Sequence, residues 1–210
     1  MKTDELITAL ALDAPPVRPA GLSMSWLLLA AAVSTALVLS LLGARPDLAQ
    51  AAREPALWLK AAYTGALALA AIRLVTRLGR PGMRTGGATW WLLGLFGLAF
   101  AAGGVELALA APDQRPTIWL GSSWRVCSLN ILLISAAAAP LIWLSARRLA
   151  PTHPMLSGAA MGATTGAVAA TAYGLHCAES TAAFTAIWYS LGIAAAAALG
   201  ALIGRLALRW

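Results

Sequence analysis

Charge is what this sequence lacks. Only 11% of its 210 residues are Asp, Glu, Lys or Arg, against roughly 25% in a soluble domain. Acidic residues are the scarcer sign, eight against fifteen basic ones. A polar stretch able to fold by itself is also missing: none exceeds about 25 residues, well below independent folding size. These deficits exclude an ordinary water-soluble globule and point away from an appended soluble domain. No stripe of Lys and Arg with interleaved aromatics occurs, so the net charge of +7 does not indicate direct nucleic-acid binding. Phosphate loop, nucleophile elbow and metalloprotease motif are absent, and no enzyme class is indicated. Cysteine is scarce as well. There are two, Cys127 and Cys177, and they do not form a C-x-x-C pair, which argues against a quinone-linked thiol oxidoreductase.

What is present is apolar. Hydrophobic residues make up 60% of the chain and the mean hydropathy is +0.76. Apolar runs of about 20 residues, each long enough to cross a bilayer as a helix, recur along the sequence. We place them at about 22–42, 56–75, 88–111, 126–145, 155–175 and 182–206. The expected fold is an all-α membrane protein, a six-helix transmembrane bundle over 22–210 with a short segment, 1–21, outside it. Six spans put both ends on one side. With that side inside, Lys2, Arg18, Arg73, Arg77, Arg80, Arg84, Arg147, Arg148, Arg205 and Arg209 are cytoplasmic, and Arg45, Arg53, Lys60, Arg115 and Arg125 are external. The excess of inner basic residues supports both termini in the cytoplasm. The expected location is the bacterial inner membrane, crossed several times. Lys60 and Arg73, near the ends of the second span, are expected to snorkel to the interfaces. Trp58, Trp90, Trp91, Trp119, Trp124 and Trp210 fall near span ends, as an aromatic belt requires.

The segment before the first span does not read as a cleavable signal, because Asp4, Glu5 and Asp13 follow Lys2 before any apolar run. Thr3 can cap a helix whose first turn carries Asp4 and Glu5, where carboxylates favour the helix dipole. Leu6, Ile7 and Leu10 then share one small apolar face. Pro15, Pro16 and Pro19 favour an extended tether. This is the pattern of a docking peptide. A helix lying on the membrane surface, or a frayed start to the first span, fits it equally.

The chemistry-bearing stretch is Tyr173-Gly174-Leu175-His176-Cys177-Ala178-Glu179-Ser180, a polar turn between the fifth and sixth runs. The inferred topology puts it, and Cys127 at the head of the fourth run, on the external side. There, disulfides persist. The two thiols could pair oxidatively. Equally, Cys127, Cys177, His176 and Glu179 could ligate a soft metal ion, or the cysteines could be small buried hydrophobes. Glu106 is the one acid within a run; it could pair with Arg125 or Lys60, join the external site, or serve as the coupling group of a small transporter. Gly158, Gly162 and Gly166, with Gly200 and Gly204, form small-residue seams suited to close packing inside the bundle or to homodimerisation. Pro140 is expected to kink the fourth span.

At these positions the chain resembles the NrsF-type six-helix membrane anti-sigma factors. The resemblance is carried by Met1-Lys2-Thr3-Asp4-Glu5-Leu6-Ile7 with Leu10, Asp13, Pro16 and Val17. It continues at Cys127 and at Leu175-His176-Cys177-Ala178-Glu179 with Phe184, Trp188 and Tyr189. It implies that a cytoplasmic head including Asp4, Leu6, Ile7 and Leu10 holds an extracytoplasmic-function sigma factor at the membrane. It also implies that Cys127 and Cys177 take part in sensing the stress signal, metal or oxidant, that releases it. No catalytic residue is implied.

Overall fold

The computed structural model describes residues 3–12, 22–80, 86–146, 149 and 151–207. The expected proline tether, Lys2, Arg84, Arg147, Arg148, Arg209 and Trp210, and the expected boundary at residue 21, lie outside them.

The described residues form helices and connecting turns only. Helix α1 is Thr3–Leu12 and buries none of its side chains. Thr3, expected as its cap, is already helical. Helix α2 (Met24–Leu37) continues through a π-turn, Val38–Leu42. Short α3 (Leu48–Ala51) leads to α4 (Pro55–Leu78), α5 (Gly86–Leu109), short α6 (Arg115–Leu120) and α7 (Trp124–Ser145). Then come α8 (Pro154–Tyr173), the single turn α9 (Ala182–Phe184), a second π-turn (Thr185–Tyr189) and α10 (Ser190–Ala207). Prolines begin α4 and α8, where a missing N–H costs nothing. Pro140 lies inside α7, and the helix continues through it.

Five stretches are long and apolar enough to cross a membrane: Met24–Leu42, Pro55–Leu78, Gly86–Leu109, Arg115–Ser145 and Ala182–Ala207. Helix α8 is of spanning length, yet its Gly, Ser and Thr content keeps it out of that group. Its position explains this composition. It is the axis of the bundle, packed by α10, α4, α7 and α2, and thirteen of its twenty residues are buried. A helix surrounded by helices needs small side chains more than apolar ones. The two glycine seams face each other. A methyl group on Gly158, Gly162, Gly200 or Gly204 would collide with backbone of the opposing helix, so these faces serve packing of α8 on α10. At the other extreme, only 6% of the most apolar window of α5 is buried, and α5 leans on α4 and α9 from outside.

The bundle is tied at both ends. At one, Ser23 donates its N–H to the Ser145 carbonyl at 3.3 Å, and the Leu149 side chain fills the space beside Gly79. The other end holds the turn between α8 and α9, with Cys177 at its centre.

A buried thiol pair as the candidate functional site

The turn 174–181 is held from four directions. From the loop after α2, the Arg45 N–H donates to the Leu175 carbonyl at 3.1 Å, and His176 Nδ1 donates to the Gly43 carbonyl at 2.9 Å. The same Arg45 grips Asp47 through Nε at 2.7 Å and Nη2 at 2.6 Å. From α4, Lys60 Nζ donates to the carbonyls of Cys177, at 3.3 Å, and of Glu179. From the segment before α7, the Glu179 carboxylate accepts from the Ser122 N–H at 2.7 Å, the Ser122 hydroxyl at 2.6 Å and the Ser123 N–H at 3.3 Å. These donors sit at the start of a long helix, where an anion is worth about 0.3–1 kcal/mol. Gly121 makes the approach fit: its φ is +59°, and a Cβ there would stand only 2.7 Å from the Glu179 carboxyl carbon. From α6, the Ile118 carbonyl accepts from the Thr181 hydroxyl at 2.8 Å.

Inside this cradle Cys177 meets Cys127 from the first turns of α7. Fifty positions apart in the chain, both are free thiols, 3% and 0% exposed, in one cluster with Tyr173, Phe184 and Tyr189. The Ser123 hydroxyl lies 4.0 Å from Cys177 Sγ. Lys60 closes the site, its ammonium 5.3 Å from the centre of the Tyr189 ring. The Cys177 thiol is held well below the ordinary thiol range, first by its interaction with the Cys127 side chain and then by the Lys60 ammonium. Both influences favour the thiolate, the form in which a cysteine acts as a nucleophile.

Two expectations about charged residues are corrected here. Lys60 does not snorkel. It is 5% exposed and turned inward, because two loop carbonyls and an aromatic face take the place of water around its ammonium; hydrogen bonds to a charged group are worth about 1.5–3 kcal/mol each. Glu106 does not pair with Arg125 or Lys60: its Oε2 accepts the Ala183 N–H at 2.8 Å and so caps α9. Gly103, one turn earlier on α5, has no room for a Cβ against Ala183, so α5 is docked to α9 at this point.

The four residues with metal-ligand character divide. Cys127 and Cys177 come together. His176 turns to Gly43 and Glu179 to Ser122. Among the described residues no group of three His, Cys, Asp or Glu converges on a point where an ion could bind. As arranged, the site offers two sulfurs, which suits a bond between them better than a four-ligand ion. The head residues Asp4, Leu6, Ile7 and Leu10 all lie on α1, and Leu6, Ile7 and Leu10 are 41%, 59% and 63% exposed.

The fold and site together define a membrane-associated helical bundle with a buried thiol pair enclosed at one end and an uncovered amphipathic helix at its N-terminus. Comparison with known sequences makes this specific. Residues 10–210 match the family described as "Negative regulator of sigma F", and the chain belongs to this NrsF family. It is 44% identical over 221 residues to the anti-sigma-F factor NrsF of Caulobacter vibrioides (strain NA1000 / CB15N), with all of both chains covered. It is 38% identical over 220 residues to the probable anti-sigma-F factor NrsF of Azospira oryzae (strain ATCC BAA-33 / DSM 13638 / PS), again over the full length of both. No solved structure matches the chain.

Proposed function

We propose that this protein is an anti-sigma factor of the bacterial inner membrane. It sequesters an extracytoplasmic-function sigma factor on its cytoplasmic face and releases it when Cys127 and Cys177 are oxidised to a disulfide on the external face. The observation that carries this reading is the meeting of the only two cysteines in one buried site, on elements that pack through the bundle. Helices α2, α4, α5, α7, α8 and α9–α10 form six spans, with α8 as the buried sixth, and both termini are cytoplasmic. A phosphatase reporter fused after Trp210 should then be inactive, and one within 48–54 active. The opposite result would place the thiols in a reducing compartment and end the sensing proposal.

Residues 1–21 are the sigma-binding segment, and 22–210 the transmembrane domain. Asp4, Leu6, Ile7 and Leu10 are the contact residues on α1. A helix of this length has little stability alone, and it recovers its ordering cost from apolar anchors laid into a partner groove. Leu6→Asp with Leu10→Asp should abolish co-purification of the sigma factor and raise transcription from its promoters, with membrane insertion unchanged. If the sigma factor stays bound to this double variant, the head is not the binding site. A soft metal is the alternative trigger; it would need His176 to leave Gly43, or Glu179 to leave Ser122, to complete its ligand set. The transporter reading has less support, because the Glu106 carboxylate is engaged at the start of α9.

A further inference from the structure

Most charged and polar groups near the thiol end already have partners in the fold. A cavity of about 630 Å³ between α4, α5 and α9 is reached by Lys60 and Glu106, but the carbonyls of Cys177 and Glu179 hold the first and the Ala183 N–H the second. Arg125 is different. It is exposed, its guanidinium stands 5.1 Å from the centre of the Trp124 ring, and no carboxylate among the described residues forms an ion pair with it.

Below Arg125 runs a trough of about 340 Å³ between α7 and α10. Its walls are Leu129 and Leu132 on one side and Leu191 and Ala195 on the other. Both helices descend from the same end, and the lining spans about seven positions along each, a depth of about 10 Å. That is most of the hydrocarbon thickness of one leaflet. The rim is rigid. The Trp119 and Trp188 rings stack at 6.4 Å, Trp124 packs on Trp188 at 5.4 Å, and Trp188 Nε1 donates to the Trp119 carbonyl at 2.8 Å. Indoles of this kind sit at headgroup level.

We propose that this trough is a binding site for an anionic glycerophospholipid, with the phosphate on Arg125 and one acyl chain along Leu129, Leu132 and Leu191. An unpaired guanidinium above an apolar channel matches an amphiphile of that charge order, and a guanidinium binds phosphate oxygens in pairs. A partner helix would match the apolar walls but leave the cation at the rim unanswered. The site spans both thiol-bearing parts of the fold. Trp124 is three residues before Cys127, and Trp188 lies on the turn that leads from Cys177 into α10, where the Ser128 hydroxyl donates to the Trp188 carbonyl at 2.7 Å. A lipid seated here would hold α7 and α10 together at the level of the thiols.

The proposal rests on the membrane reading above, and one experiment separates the two. The full-length protein is incorporated into nanodiscs containing equal phosphatidylglycerol and phosphatidylcholine, and the lipids retained on delipidation are counted by native mass spectrometry. Failure to incorporate would contradict the membrane reading itself. Given incorporation, the wild type should retain phosphatidylglycerol about fivefold over phosphatidylcholine, the scale for one basic side chain at a membrane surface. Arg125→Gln should retain both equally, and Leu191→Trp, which fills the trough, should retain less of each. Equal retention by the wild type, or a preference that survives Arg125→Gln, would overturn the proposal. So would a dimer in the nanodisc that Leu191→Trp disperses, because a second copy would then occupy the trough.

Discussion

Cys127→Ser and Cys177→Ser should each leave the sigma factor bound under oxidant stress, so that induction of its promoters falls to the unstressed level. The double variant should behave like either single, because a bond between two atoms is lost when either is removed. The argument is geometric. Cys127 rides on α7, while Cys177 is fixed by the cradle to α4, to the loop after α2 and to the segment before α7. Joining the sulfurs therefore draws the head of α7 against the α8–α9 turn. Helices packed as closely as α8 and α10 transmit such a change as a slide or rigid-body movement, not as local deformation. The bias required is about 1–3 kcal/mol, the usual size of a coupling between sites, and closing a covalent bond across this site can supply it. Serine is close in size to cysteine, and burying its hydroxyl costs about 1–3 kcal/mol, so each variant should still reach the membrane. Normal induction in both single variants would make the thiols packing residues.

The second large effect is expected at Lys60. Lys60→Met keeps the length of the side chain and removes the ammonium. The carbonyls of Cys177 and Glu179 then lose their donor, and the Cys177 sulfur loses its nearby positive charge. Peptide-resolved alkylation in membranes should show the Cys177 rate of the wild type levelling off at a lower pH than that of an ordinary thiol, because its neighbours favour the thiolate. In Lys60→Met the rate at neutral pH should fall severalfold and its rise with pH should move upward, while the Cys127 side chain, the larger influence, still favours the thiolate. Disulfide formation and induction should slow in parallel. An unchanged rate and pH profile would mean that Lys60 serves only to hold the loop.

Most of the bundle was legible in the sequence because each helix carries its own signal. The runs expected at 56–75, 88–111 and 182–206 became α4, α5 and α9–α10 with ends shifted by a few residues, and Pro55, Gly79 and Gly86 mark three of those ends. The sequence puts Cys127 and Cys177 at the same end of their runs but leaves a disulfide, a metal site and simple burial open; their meeting needed the packing of α7 on the turn after α8. Lys60 was not legible. A lysine near the start of an apolar run has the same local pattern whether it reaches the interface or turns inward, and the carbonyls that bind it lie more than a hundred positions away. The sequence leaves Glu106 open between an ion pair, the external site and a coupling role for a related reason: its partner is a backbone N–H, which no residue type announces. Gly121 and Phe184 flank the Glu179 carboxylate, and Gly121 carried a usable hint, a glycine between Leu120 and two serines just before a long helix. The glycine seams were read correctly as packing surfaces, while the choice between an internal seam and a dimer seam needed the position of α10.

The most direct test is co-purification of the sigma factor with the intact protein extracted from its own membrane, before and after the cells meet an oxidant. The account predicts a sigma factor bound before exposure, lost once Cys127 and Cys177 are joined, and retained throughout in Cys177→Ser. A wild-type protein that never carries a sigma factor, or one that keeps it with the disulfide fully formed, would contradict it.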